Sequence, residues 1–511
     1  MAEVTAPAAA DRPAAPAAGS PAAATARGPA WLLLAVVCVG QFMVVLDLSI
    51  VNVALPAMQR DLHFATSQLQ WVVNAYALTF GGFLLLGGRA ADLFGRRGIF
   101  ILGLMMFSGA SLICALAPDK GLLIAARGLQ GLGAAVLSPA TLTILTTTFH
   151  EPRERARALG IWSAMAAVGG ASGAVLGGVL TDLLSWRWIF YINVPIGLLT
   201  IAAARLALHD TKAEGRRPSL DVIGALTVTG AMVAFVFAIA GTSTHSWGAP
   251  ATVVPLIAAA VFFVVFLVVE TRVTSPLVPF RLFRSRGVTG ANVAMFLVGG
   301  AMFAMWLFLS LYMQDVLGFS PLVTGLGFLP QTAAIAIAAQ VAARLVPRFG
   351  ARPPLLVGIL MAAVGLAWLS RISPTGSYAA DVLGGSVLAT FGMGLSFTPL
   401  AFSATAGVDR AEAGLASGVL NTSRQVGGSI ALATLATIAA DRTASYLRTQ
   451  RRPVGIGSSA LHQEMARALT FGFGRVFLVA SLIAVAGCLG ALLIPRQAAP
   501  APAGPPSSSS S

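Results

Sequence analysis

The sequence predicts an all-α polytopic membrane protein with fourteen transmembrane helices, and three observations support this: composition, fourteen apolar segments and an internal repeat. Of the 511 residues, 57% are hydrophobic and 10% are charged, whereas soluble domains contain about 25% charged residues. A helix rises about 1.5 Å per residue, so about twenty apolar residues cross a hydrocarbon layer of roughly 30 Å. The apolar segments have about this length, and the chain is therefore expected to fold within a bilayer.

Short polar segments separate the predicted helices. The spans are 31–56, 70–88, 98–117, 121–149, 159–181, 188–206, 221–241, 251–270, 288–312, 322–343, 355–372, 380–402, 415–438 and 471–494. The first run is too long for a signal-peptide core, so we expect it to remain in the membrane. Residues 1–29 and 496–511 consist mainly of Ala, Pro, Gly, Ser and Thr, a composition that predicts disordered tails.

Basic residues predict how the chain lies in the membrane. If the N-terminus is cytoplasmic, the inner segments carry most of the arginines, and these are at about 89–97, 153–157, 205–217, 272–286 and 344–352. One outer segment, 441–470, carries five arginines, but long loops follow the positive-inside rule less strictly. We therefore expect both termini on the cytoplasmic side of the cell membrane.

The remaining composition argues against several functional classes. The net charge of +14 comes from short segments between helices rather than from a patch typical of nucleic-acid binding. The two lysines, Lys120 and Lys212, do not follow the glycine pattern of a phosphate-binding loop, so ATP hydrolysis is not predicted. The three cysteines lie in apolar runs without paired spacing, so neither a disulfide framework nor a metal site is indicated. We predict neither an enzyme nor a bound cofactor.

An internal repeat divides the chain into two halves. A shift of 255 residues aligns Met58 with Met313, Leu62 with Leu317 and similar pairs through to Arg352, without a gap. Helix nine thus repeats helix one. The predicted organisation is a six-helix bundle at 30–206, two inserted helices with their loops at 207–287, and a second six-helix bundle at 288–495. Parallel repeats are typical of the major facilitator architecture, in which the substrate site lies between the halves.

Three motifs resemble those of a known family. They are LDLSIVNVALP at 46–56, GRAADLFGRR at 88–97 and WRWIFYINVPIG at 186–197. Together they resemble the EmrB/QacA-like, fourteen-helix drug:proton antiporters of the major facilitator superfamily. The resemblance covers about 30–495 and implies that protons drive export of drug-like molecules. It also marks six positions as family motif residues: Gln130, Gly131, Trp186, Arg187, Asn193 and Pro195.

Asp47 is the acid inside the first span. A charged residue at the centre of a membrane helix costs about 2.5 to 3.5 kcal/mol, so an intramembrane acid is by default a functional candidate. Asp47 and Arg127 each lie about six residues from the outer end of their helix, at a depth of roughly 9 Å. Burial disfavours a charged carboxylate and a nearby cation favours it, so the two residues are candidates for proton coupling. The resemblance gives Arg127 the same role, but a static buried ion pair remains an alternative.

The segment 88–97 is expected to form a sharp turn between helices two and three, with Gly88 and Gly95 at its ends. The resemblance implies that this loop latches the two halves in one state, through Asp92, Arg96 and Arg97. The arginines can alternatively serve only as positive-inside anchors. In the second half Pro347 replaces the acid, so only the first copy is expected to latch.

Helix five carries glycines at every fourth position, which allow another helix to approach closely. These are Gly169, Gly173 and Gly177, followed by Gly178. The segment resembles the antiporter motif of exporters, except that Ala174 stands where proline is usual. A generic packing face is the alternative.

Aromatic and methionine side chains are candidates for an adaptable apolar cavity wall. The candidates, including one amide, are Met43, Asn74, Tyr76, Trp162, Met302 and Trp306; lipid contact or core packing is the alternative for each. The motifs favour a drug:proton antiporter. A proton-coupled symporter of a specific metabolite and a non-transporting scaffold or receptor remain as alternatives. The expected partners are a drug-like small molecule, protons and the lipid bilayer, and not nucleic acid or ATP.

Overall fold

The computed structural model describes residues 30–149, 151–208, 220–242, 244–273, 276–409, 412–449 and 458–496. The predicted tails therefore lie outside the described residues, apart from Arg496. The described chain is helical and contains no β-strand. Its fourteen long helices are α1 Ala30–Asp61, α2 Trp71–Phe94, α3 Arg96–Leu116, α4 Lys120–Thr148, α5 Pro152–Leu183, α6 Trp188–Ala207, α7 Val222–Gly241, α8 Pro250–Arg272, α9 Arg286–Val316, α10 Pro321–Phe349, α11 Arg352–Leu369, α12 Tyr378–Thr405, α13 Ala413–Thr449 and α14 Ser458–Leu493.

Thirteen of these helices are long and apolar enough to cross a membrane, and α13 is the one that is not. Its first turns contain the polar run Asn421 to Gln425, which lowers its hydropathy. This helix packs against α2, α7, α9 and α14, so protein rather than lipid surrounds much of it. Fourteen helices match the number predicted from the sequence.

The internal repeat is visible in the packing. In the first half, α1 packs on α5, α2 on α4, and α3 on both α4 and α6. In the second half, α9 packs on α13, α10 on α12, and α11 on both α12 and α14. The second set is the first set moved by eight helices. The two halves therefore have the same topology, and the inserted α7 and α8 pack on each other, with α7 against both α2 and α13.

Two turns with positive φ follow the repeat. Gly95, between α2 and α3, has φ 97°, and Gly350, between α10 and α11, has φ 75°. A Cβ is strained in this region of backbone space, which is why glycine occupies both turns. Gly88 was expected to begin the first turn, and that expectation is wrong. It lies inside α2, which continues to Phe94 because Arg89 to Leu93 includes no helix breaker.

Besides the contact of α2 with α13, the halves touch at the face opposite the arginine-rich face, which is formed by the helix ends near residues 89–97, 272–286 and 344–352. Helix α5 crosses the start of α10 so closely that a Cβ on Gly178 would lie 2.6 Å from the Pro321 carbonyl oxygen. The Ser310 hydroxyl of α9 donates to the Asn52 carbonyl of α1 at 2.9 Å. The Gln314 amide donates to the Val53 carbonyl at 2.8 Å. These contacts close this face of the molecule.

At the arginine-rich face, the segment 276–285 between α8 and α9 forms a strap. The Arg89 guanidinium, near the end of α2, donates to the Pro276 carbonyl. Arg281 pairs with Glu412, which precedes α13. The strap therefore connects the first half to the beginning of α13.

Candidate functional site

A buried polar network lies within the first half and is centred on Asp47 of α1. The Arg127 guanidinium of α4 donates to the Asp47 carboxylate at 2.6 Å, and the side chains are 1% and 0% exposed. Gln130, one turn further along α4, donates to the other carboxylate oxygen at 2.8 Å. Both carboxylate oxygens therefore have a strong donor.

Two more helices complete this network. The Gln130 amide also donates to the Ser111 hydroxyl of α3 at 2.7 Å. The Asn193 amide of α6 lies 3.5 Å from Asp47 and 3.4 Å from Ser111. Gln130 and Asn193 were singled out by family resemblance alone, and the structure brings them to the same carboxylate. Ser111 was not singled out, since a serine in an apolar span has no distinguishing pattern.

Arg127 has acceptors other than Asp47. Its Nη1 donates to the side-chain amide oxygen of Gln130 at 2.6 Å, and its Nε donates to the Val72 carbonyl of α2 at 2.9 Å. Its Cζ lies 4.4 Å from the centroid of the Tyr76 ring, which adds a cation–π contact. The guanidinium is thus held even where the Asp47 contact is absent, so a change in charge on Asp47 does not leave Arg127 without a partner.

Gly131 and Pro195 support the network through packing. A Cβ on Gly131 would lie 2.3 Å from the Tyr76 carbonyl oxygen, so glycine allows α2 and α4 to approach. Pro195 lies at the beginning of the continuous helical segment Asn193–Ala207, where a missing N–H costs little.

The beginning of the motif at 186–197 forms an ion pair at the end of α1. Arg187 pairs with Asp61 at 2.6 Å, and the Trp186 indole donates to the same carboxylate oxygen at 2.9 Å. Arg187 also donates to the Ala117 carbonyl at the end of α3, at 3.2 Å. Trp186 and Arg187 thus connect three helix ends. Asp61 was not predicted from the sequence. An acid just after the first span, on the same side of the membrane as Arg187, could have indicated it as a partner for that arginine.

A cavity of about 1820 Å³ lies between the halves. Its wall is formed by α1, α2, α4, α5, α9, α10, α13 and the strap. It reaches the arginine-rich face, where Arg89, Arg281 and Glu412 line it, and the contacts between α1 and α9 lie at its other end. In this conformation the cavity therefore extends towards the arginine-rich side.

The cavity wall includes three of the six predicted cavity residues, namely Trp162, Met302 and Trp306. Met43, Asn74 and Tyr76 do not line it, and all three are fully buried. Their helices do contribute to the wall, but Met43 and Tyr76 belong to the packed core of the first half, and the Asn74 amide donates to the side-chain oxygen of Gln70 at 3.4 Å. Asp47 is likewise absent from the wall, whereas its neighbours Leu48 and Ser49 are part of it.

The predicted latch residues are spread around the junction of α2 and α3. Arg97 donates to the Arg205 carbonyl at the end of α6, at 3.1 Å, and Arg96 is half-buried. Gly88 faces α4, since a Cβ on this glycine would lie 3.5 Å from the Pro139 ring. The side chain of Asp92 lies outside the described part of the structure, so its latch role stays a prediction.

The glycines of α5 face two neighbours. Cβ atoms on Gly169, Gly173 and Gly177 would lie 3.0, 2.7 and 2.7 Å from atoms of α1. Gly178 instead faces α10, and the backbone oxygen of Ala174 would lie 2.3 Å from a Cβ on Gly325. This segment therefore packs α5 on α1 and also brings it against the second half.

Known proteins share both this sequence and this fold. The family model of the Major Facilitator Superfamily matches residues 37–432. The cephamycin export protein CmcT of Amycolatopsis lactamdurans is 44% identical over 413 residues, which cover 80% of this chain and 85% of that protein. The puromycin resistance protein pur8 of Streptomyces alboniger is 40% identical, over 88% of this chain and 90% of that protein.

Among solved structures, the chain is similar to a bacterial homologue of the human lysosomal transporter Spinster, in an inward-facing and unoccupied conformation. The TM-score is 0.64 at 16% identity, and the match covers 93% of this chain and 98% of that one. This likeness concerns the fold alone, and the fold agrees with the family match. The chain belongs to the Major Facilitator Superfamily and is a multi-pass membrane transporter.

Proposed function

We propose that this protein exports drug-like molecules from the cytoplasm in exchange for protons, by alternating access. The observation that carries the proposal is the buried carboxylate network of Asp47 beside a large cavity between two repeated halves. The relatives support the substrate class, since one is named as a cephamycin exporter and another as a puromycin resistance protein.

The cavity suits a drug-sized substrate. Ligand pockets commonly enclose about 300 to 1,000 Å³. The cavity here is larger, at about 1820 Å³, so it has room for a drug-sized molecule. Phe303 and Trp306 line it from α9, and Val45 and Leu48 line it from α1. Apolar walls of this kind bind by area rather than by many directional contacts, which favours a range of lipophilic molecules.

The network suits a site that gains and loses a proton. A proton on Asp47 removes the charge that pairs with Arg127, while Gln130 and Val72 continue to accept from the guanidinium. Loss of the proton restores the ion pair. Arg127 therefore keeps hydrogen-bond partners whether Asp47 is protonated or deprotonated. The free energy difference between these two forms of the network is smaller than it would be if Arg127 lost every partner.

The direction of transport follows from orientation. With the arginine-rich face in the cytoplasm, as the positive-inside rule predicts, the cavity is reached from the cytoplasm and the opposite face is closed. A substrate then enters from inside the cell. Release outside requires the contacts of Ser310 and Gln314 with α1 to break.

The test uses purified full-length protein in liposomes with an imposed pH gradient. The probes are a rhodamine free acid and its methyl ester, and the readout is dye movement against its gradient. We expect the wild type to accumulate at least one dye and Asp47→Asn only to equilibrate it. Asp61→Asn is the matched control, since it makes the same change on the same helix at an exposed carboxylate, and we expect it to accumulate dye.

Two results would count against the proposal. Movement of dye by the wild type that ignores the pH gradient would exclude proton coupling. Equal accumulation by the wild type and by Asp47→Asn would place the proton site elsewhere.

A further inference from the structure

We infer that Arg424 of α13, together with the adjacent Gln425, forms a subsite in the central cavity for a carboxylate or similar anionic group of the transported molecule. This inference names a substrate chemistry and rests on the proposed export function. It concerns the second half of the protein, whereas the Asp47 network lies entirely within the first half.

Arg424 is a cation of the cavity wall with no partner in the described part of the chain. It lines the cavity, and its Nε is buried without a hydrogen-bond acceptor. The ion pairs among the described residues involve Arg127, Arg187 and Arg281 instead. A charge without a partner at membrane depth is costly, and such residues commonly mark the path of a substrate or ion.

The other charged residues of the described wall lie at the arginine-rich face and are engaged. Arg89 donates to the strap carbonyl of Pro276, and Arg281 pairs with Glu412. Glu412 is the one acid on the described wall, and twelve residues of helix separate it from Arg424, about 18 Å along the axis. The middle of the cavity therefore has a positive charge and no nearby wall carboxylate to balance it.

Close packing fixes the position of Arg424. A Cβ on Gly299 of α9 would lie 3.0 Å from both the Arg424 Cγ and its carbonyl oxygen. Further along α13, a Cβ on Gly427 would lie 2.0 Å from the Phe296 carbonyl oxygen of α9, and one on Gly428 would lie 2.8 Å from the Phe303 ring. The base of the side chain is therefore held by the α9–α13 contact, while the side chain contributes to the cavity wall.

Gln425 adds a second, uncharged group. It is fully buried, it lines the cavity, and both its amide nitrogen and its amide oxygen lack a hydrogen-bond partner. A guanidinium and an amide donor that line the same cavity suit an anionic group with two oxygens. Met302, Phe303 and Trp306 also line the cavity. The predicted ligand is therefore amphiphilic, with an anionic group and an apolar body.

The experiment measures equilibrium binding of two dyes to the purified full-length protein by fluorescence polarisation. The dyes are a rhodamine free acid and its methyl ester, which differ in the carboxylate. We expect the wild type to bind the acid about tenfold more tightly than the ester, because a hydrogen bond to a charged group contributes about this much. We expect Arg424→Gln to remove that preference and Arg424→Lys to keep part of it.

Arg442→Gln is the matched control, since Arg442 is an exposed arginine of the same helix and does not line the cavity. It should keep the wild-type preference. Equal binding of acid and ester by the wild type, no binding of the acid, or a preference that persists in Arg424→Gln would each overturn the inference. Binding with the expected preference, but no pH-driven movement in liposomes, would refute the export function and leave the anion subsite standing.

Discussion

Three variants distinguish a structural role of the Asp47–Arg127 pair from a role in proton coupling. They are Asp47→Asn, Arg127→Gln and the two combined. Each single change removes one charge of a pair that is 0% and 1% exposed. The double change removes both charges and keeps amides that can hydrogen bond.

The magnitude follows from burial. Breaking a buried ion pair by removing one partner costs about 3 to 5 kcal/mol of unfolding free energy, because the other charge is left uncompensated. Here Gln130 and Val72 continue to accept hydrogen bonds from Arg127. We therefore expect Asp47→Asn to lower the free energy of unfolding by about 3 kcal/mol, at the lower end of this range. The double variant should be more stable than the sum of the single variants predicts, by an interaction energy of about 0.5 to 3 kcal/mol.

The Asp61–Arg187 pair provides an internal control. Its N–O distance is also 2.6 Å, but its side chains are 47% and 32% exposed. Exposed pairs contribute about 0 to 1 kcal/mol, so Asp61→Asn should cost less than Asp47→Asn even though the bond is equally short. The measurement is the free energy of unfolding from reversible denaturant titration of the purified proteins in mixed micelles.

Transport by the double variant then distinguishes the two roles. If the pair is only structural, the double variant recovers pH-driven dye accumulation together with the interaction energy in stability. If Asp47 couples protons, the double variant recovers that part of the stability but not the accumulation, and this is the result we expect. Equal destabilisation by Asp47→Asn and Asp61→Asn would refute the reasoning from burial, since it would mean that water screens both pairs alike.

Two glycines lead to further predictions, each with a control glycine nearby. Gly178→Ala places a methyl group 2.6 Å from the Pro321 carbonyl oxygen, so we expect the free energy of unfolding to fall by about 1 to 3 kcal/mol. Gly160→Ala on the same helix meets open space and should be neutral or slightly stabilising. Thermal unfolding of both variants tests this prediction. Gly95→Ala must adopt φ 97°, which should cost about 1 to 3 kcal/mol, and Gly98→Ala, whose Cβ also meets open space, should show no such loss in the same assay. Equal stability of either glycine variant and its control would contradict the corresponding contact or strain.

The sequence was sufficient to predict the helices and the repeat, because both rest on strong signals. Apolar runs of about twenty residues specify spans, and residues 255 apart have the same role in two halves, as Gly95 and Gly350 show. A shared depth for Asp47 and Arg127 also followed from counting residues along two helices. The structure adds that the two side chains are in contact.

The face that each helix turns to the cavity was not predictable in the same way. Apolar side chains suit lipid, the packed core and an apolar cavity equally well, so periodicity does not distinguish these surroundings. For this reason Met43 and Tyr76 were expected in the cavity wall and are instead fully buried. The sequence shows Arg424 only as a polar residue within the predicted span 415–438, since the absence of a partner is a property of the fold.

Helix α1 is the element that connects the proposed proton site to the contacts that close the cavity. Asp47 faces α4, while Ser49, two residues further, donates to the Gly170 carbonyl of α5 at 2.7 Å. The carbonyls of Asn52 and Val53 accept from α9, about 8 to 9 Å along the axis from Asp47. A displacement of α1 that follows a change in charge on Asp47 therefore acts directly on the hydrogen bonds between the halves, with no need for a chain of intermediate side chains.

Arg424 belongs to the other half and makes no contact with the Asp47 network. Substrate charge and proton binding are therefore expected to influence each other through the motion of the halves rather than through direct electrostatic contact.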